Sequence, residues 1–85
     1  MNYAIKLENN KYVRLHQYDE TEVDVYSVEL KDAEILDDLE YARNKANAIN
    51  FGADDYFTYY PPCRAVSVVE VIISEGKIHE LEEVK

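Results

Sequence analysis

One cysteine, Cys63, and two histidines, His16 and His79, are the only thiol and imidazole groups in these 85 residues. Cys63 follows Pro61-Pro62 and precedes Arg64, whose positive charge favours a thiolate. A cysteine nucleophile also needs a positioned base and a group that orients that base, and packing at the start of a strand is the simpler role for this one. Two glycines, Gly52 and Gly76, cannot make a glycine-rich phosphate loop. Metal chemistry is served no better. The histidines lie far apart, and the carboxylates lack the Asp-x-Asp-x-Asp-Gly spacing that wraps calcium. Neighbours in the pairs Asp37-Asp38 and Asp54-Asp55 point in different directions, which suits helix capping for the first pair and a solvated loop for the second. The residue inventory predicts a non-enzyme with no cofactor and no metal.

The carboxylates are more informative as a set. Eighteen acidic residues against nine basic ones give a formal charge of −9, a poor match to nucleic acid, whose phosphates need Lys and Arg. Asp19, Glu20, Glu22 and Asp24 gather around one expected turn. Asp32, Glu34, Asp37, Asp38 and Glu40 gather before and at the start of an expected helix, and Asp54 and Asp55 follow it. Turns project from the rim of a fold, so these groups act together on a basic surface through long-range attraction; solubility alone is the competing account. The segment 54–62 adds Tyr56, Phe57, Tyr59 and Tyr60. Tyrosine combines a large apolar area with a polar tip and little rotamer entropy, as binding hot spots require. Exposed, this is a docking loop; folded back, it covers the edge of a small core.

These groups must be held by a thin scaffold. A chain of this length forms a single domain, 1–85, and buries roughly 60–65% of the surface it exposes unfolded, so a partner or a second copy is a reasonable supplement. Tyr3 to Leu7 and Lys11 to His16 alternate apolar and polar residues around Asn9-Asn10, a β-hairpin signal because Asn tolerates positive φ. Glu22 to Leu30 carries a third strand. A helix starts near Asp37, with Glu40 three residues on in capping-box spacing, and Leu39, Ala42, Ala46 and Ile49 fall on one narrow stripe. Gly52 suits the C-terminal cap. Ala65 to Ile73 reads as a buried strand, Ser74 to Lys77 as a turn, and Ile78 to Val84 as a last strand with Glu on its solvent face. The order βββ-α-ββ predicts an α+β fold, an antiparallel sheet with one helix packed on one face. An unpaired cysteine and the absence of a basic-then-apolar leader or a long apolar run point to the cytoplasm.

Tyr3-x-Ile5-x-Leu7 with Asn10-Lys11-Tyr12-Val13, then Asp32-Ala33, Leu39-Glu40-x-Ala42-x3-Ala46, Gly52 and Val68-Val69-Glu70-Val71, resembles small uncharacterised proteins encoded by bacteriophages and prophages. What the resemblance implies is a role against host defence, as in anti-CRISPR proteins that occupy a nuclease's nucleic-acid-binding surface, and residence in the host cytoplasm. The sequence thus predicts an inhibitor of a host nucleic-acid-handling or defence protein, acting by electrostatic and steric occlusion of a basic surface. Asp19, Glu20, Glu22, Asp24, Asp37, Asp38, Asp54 and Asp55 supply the charge, and Tyr56, Phe57, Tyr59 and Tyr60 the anchors. Two other readings stay open: an oligomeric sponge for a nucleotide-like signalling molecule, and a structural or assembly factor. Clustering of Arg14, Arg43 and Arg64 around one concavity would favour the sponge; their dispersal would favour the inhibitor.

Overall fold

The computed structural model describes residues 1–17, 20, 23–51, 57–59 and 64–84, the side chains of 57–59 excepted. Among the described residues, six strands and one helix follow in chain order: β1 (Asn2–Leu7), β2 (Tyr12–Gln17), β3 (Val23–Val28), α1 (Leu39–Phe51), β4 (Phe57–Tyr59), β5 (Ala65–Ser74) and β6 (Lys77–Val84), with a 3-10 turn at Leu30–Asp32. The sheet runs β4-β3-β2-β1-β5-β6. Five strands pair antiparallel, as the alternation predicts, and the fold is α+β. Asn10 supplies the positive φ, 64°, of the first turn, and Asn9 Oδ1 accepts the Lys11 N–H at 3.0 Å to brace it. Glu75 and Gly76, at φ 54° and 75°, form the two-residue β5–β6 turn, whose paired positive φ values match the twist of the strands.

Side-chain alternation splits the core in two. Ile5, Leu7, Val13, Val25 and Ala65 meet Ile49 of α1 on one face. Ala4, Tyr12, Val69 and Val71 meet Ala33, Leu30 and Ile35 on the other. Ala42, fully buried, and Ile49 are the inner edge of the helix stripe, and an Ala-rich stripe lets α1 lie close against β5 and β1.

The chain reaches the helix side through the sheet itself. β1 and β2 pair only at Lys6 and Tyr12 and then diverge, and the segment 34–36 fills the fork. Leu36 exchanges backbone hydrogen bonds with Tyr3 (2.7 and 2.9 Å) while the Glu34 N–H donates to Val13 O at 2.9 Å. Glu34 Oε1 then accepts the Leu15 N–H at 3.1 Å, standing in for the strand carbonyl that the fork removes. Ile35 packs on the far face and Leu36 on the helix face, so the crossing takes two residues.

Three expectations need amendment. The capping residue is Asp38, whose Oδ1 accepts the Tyr41 N–H at 3.0 Å; the Asp37–Glu40 spacing is one residue out of phase with the helix start. The segment Ala65 to Ile73 is only partly buried: Val66, Ile72 and Ile73 are 55%, 46% and 52% exposed, Val66 because the register shift between β1 and β5 leaves it without a partner, and Ile72 and Ile73 because neither cover extends over the far end of β5. Within 53–63, expected to be wholly loop, Phe57–Tyr59 adds to β3 as a short parallel strand. Gly52, Cys63 and Pro61-Pro62 lie outside the described residues.

Candidate functional site

Sheet register builds an acidic surface from residues distant in sequence. Leu36 bridges Tyr3, Tyr3 pairs with Glu70, and Glu70 pairs with Glu82, four positions in line across the sheet. At the usual spacing between strands this line is about 14 Å long. Asp37 and Asp38, both exposed, follow Leu36 at the start of α1. Glu70 and Glu82 stand directly opposite each other on the helix side, their Cβ atoms about 5 Å apart in such a pair. Beside them His79 faces Ile72, and both are exposed. Glu83 and Val84 continue into an open groove against α1, bordered there by Arg43, Asn47 and Asn50.

A register shift makes this pairing. Counting back from the two-residue turn through Ser74↔Lys77, Ile72↔His79 and Val71↔Glu80 would set Glu70 against Leu81. A bulge between Glu70 and Val71 leaves Leu81 without a partner and sets Glu70 against Glu82. Leu81 is pushed outward, 54% exposed, as the extra residue of a bulge commonly is.

The opposite face carries a shifted pair of titratable groups, Tyr12 and Glu80. The Tyr12 hydroxyl donates to Glu80 Oε1, and the Lys6 ammonium lies 3.2 Å from the same oxygen and 5.8 Å from the Tyr12 ring centroid. Burial, reinforced by the adjacent carboxylate, pushes the Tyr12 phenol up to about 12. The hydrogen bond from Tyr12, helped by Lys6, holds Glu80 below the ordinary carboxylate range. The trio is a clamp across the sheet: its phenol is held protonated, and its carboxylate is already bonded twice.

The sequence-predicted site residues separate into three groups. Asp37, Asp38 and Glu20 are exposed, and of these Asp37 and Asp38 stand at the helix start, where Asp38 caps the helix. Asp24, expected at an acidic turn, is instead within β3 at 8% exposure. There the Tyr26 hydroxyl donates to its Oδ2 at 2.7 Å, so its carboxylate is bonded within the fold. Asp19, Glu22, Asp54, Asp55, Tyr56 and Tyr60, with the side chains of Phe57 and Tyr59, lie outside the described residues. Glu70, Glu82 and Glu83 were missed as site residues because their grouping depends on the bulge, and the sequence around Leu81 carries no Gly to announce one.

Among the described residues no group of three or more His, Cys, Asp or Glu is placed to hold a metal ion, and no helix is long and apolar enough to cross a membrane. No protein-family model, curated protein or solved structure matches the chain. The surface offers carboxylate acceptors on rigid strands, suited to ion pairs and hydrogen bonds from Lys and Arg.

Proposed function

We propose that this protein is a non-catalytic, phage-type inhibitor that binds the basic surface of a host nucleic-acid-handling or defence protein, its carboxylates standing where phosphates would lie. The observation that carries this reading is the direct opposition of Glu70 and Glu82 across β5 and β6. Like charges opposite one another weaken a strand pair, and solubility requires charge somewhere on the surface, not two carboxylates facing each other. Held on strands, the pair is preorganised for a cationic surface and loses little entropy on binding.

The basic groups support the protein-binding reading over the nucleotide sponge. A phosphorylated ligand needs several cations around one concavity. Arg14 donates to the Asp32 carbonyl on the face away from α1, Arg43 lies on α1, and Arg64 precedes β5. Lys6 and Lys11 are paired with Glu80 and Glu29. The three arginines thus sit on different elements.

The test is capture from a bacterial lysate on immobilised protein at low and high salt, with mass spectrometry of the protein and small-molecule fractions. The expected result is a nuclease or other nucleic-acid-binding protein held at low salt, released at high salt, and lost with the double variant Glu70→Lys/Glu82→Lys. Capture unchanged by that double variant overturns the reading, and a co-eluting nucleotide without a protein partner puts the sponge in its place.

A further inference from the structure

We propose that the outer edge of β6 is a strand-addition site for an extended, Lys- or Arg-bearing segment of the partner protein, an inference that rests on the charge-mimic reading above. The two ends of the sheet differ. At one end β4 has three residues, short enough to blunt that edge. At the other, β6 runs for eight residues, and among the described residues no strand pairs with its outer side. An open edge presents a row of backbone N–H and C=O groups that a further strand satisfies fully.

The guard on this edge has one sign. Proteins commonly protect such strands with Lys, Pro or a bulge. β6 has the bulge at Leu81 and no Pro, and its only Lys is at the first position. Its remaining charges are Glu80, Glu82 and Glu83. Glu80, held by Tyr12 and Lys6, is on the Tyr12 side of the sheet and Glu82 on the helix side, so the carboxylates an incoming cation pairs with are Glu82 and Glu83. This arrangement discriminates. A second copy, at a net charge of −9, would set like charges together, whereas a strand with cations at alternate positions gains a cross-strand ion pair. Ile72, Ile73 and Leu81, each about half exposed, add apolar contact beside the edge.

The turn sets which groups face outward. Starting from the Ser74↔Lys77 pair that closes the two-residue turn, antiparallel alternation directs the backbone groups of Ile78 and Glu80 away from β5. The experiment titrates isotope-labelled full-length protein with the peptide acetyl-Lys-Val-Lys-Ile-Lys-Val-amide and, separately, with a fully N-methylated copy that keeps the charges and donates no backbone hydrogen bond. The expected result is slowed amide exchange at Ile78 and Glu80 with the first peptide, at least tenfold weaker binding of the second, and weaker binding of the first to Glu82→Lys/Glu83→Lys. Equal binding of both peptides, or no protection along β6 at millimolar peptide, overturns the edge and leaves the charge-mimic reading standing. Protection that grows with protein concentration alone assigns the edge to a second copy and also overturns it. Lysate capture unchanged by Glu70→Lys/Glu82→Lys removes the premise instead, so the two failures are distinguishable.

Discussion

Tyr12 donates its hydroxyl hydrogen bond to Glu80 across the two strands, β1 and β5, that separate them in the sheet. The reach depends on what lies beneath: Tyr12 shares its cluster with Ala4, Ala33, Val69 and Val71, small or β-branched residues that leave room for a ring to lie flat. A bond made so far along the sheet ties β6, whose strand pairing among the described residues is to β5 alone, to the first hairpin.

The clamp makes stability depend on pH in two windows. Glu80 has a folded value below its ordinary 4.5, so its contribution is complete above that value and is lost as pH falls through the folded one. Tyr12 is raised from 10.0 to about 12; its contribution is complete below pH 10 and declines as pH rises toward 12. Tyr12→Phe is expected to cost about 1.5 kcal/mol at neutral pH, the lower end for a hydrogen bond to a charged group, and to flatten both limbs. Urea midpoints measured from pH 3 to 12 check this, and a variant with the pH profile of the parent would rule out the clamp.

The helix start separates two adjacent aspartates. Asp38 bonds the Tyr41 N–H, and Asp38→Ala is expected to destabilise by about 1 kcal/mol. Asp37→Ala, exposed and one residue outside the cap, should stay within about 0.5 kcal/mol of the parent. Chemical denaturation of the two variants side by side decides it; equal losses would return the cap to Asp37.

What the sequence made legible was whatever local chemistry decides. The Asn9-Asn10 and Glu75-Gly76 turns, the alternation in β1 to β3 and the Leu39–Ala42–Ala46–Ile49 stripe each contain their own reason. The fork between β1 and β2 does not, because Glu34 and Leu36 act there as strand partners only after two distant strands have diverged. The same holds for the acidic line. Glu70 and Glu82 come together through a one-residue bulge, and Asp24, read as part of a charged turn, is withdrawn by a tyrosine two residues away. Register and burial are long-range properties, and a shift of one residue changes which side chains face each other.

Glu34 tests the fork. Its Oε1 accepts the Leu15 N–H, a role that Gln keeps and Ala loses. Glu34→Gln is expected to be close to neutral, and Glu34→Ala to cost about 1–2 kcal/mol as that partly buried donor loses its partner, with faster amide exchange at Leu15. Equal effects of the two substitutions would mean that the charge, and not the acceptor, matters.

Asn50 ties the helix end to β5 through both halves of its amide: Nδ2 donates to Ala65 O and Oδ1 accepts from Ala65 N–H, each at 2.8 Å. Asn50→Asp retains the acceptor and sets a negative oxygen against the carbonyl. It is therefore expected to destabilise by about 1–3 kcal/mol and to do so less at pH 3, where the carboxyl is protonated and donates again. Thermal unfolding at pH 3 and 7, each referred to the parent at the same pH, reads this; a penalty independent of pH would exclude the carbonyl contact as its cause.

The Glu70–Glu82 pair separates folding from binding. If the two carboxylates are retained for a partner, relieving their opposition should strengthen the fold while weakening the interaction. Glu82→Lys replaces a repulsive cross-strand pair with an attractive one and is expected to stabilise by about 0.5 kcal/mol, read as a higher urea midpoint with an unchanged slope. The same variant should lose salt-sensitive partner capture. The opposition in sign is the informative part, since damage to the fold would lower both quantities and a purely solubilising role would leave capture intact. A variant that gains stability and keeps its partner would show that the acidic line is a surface without a target.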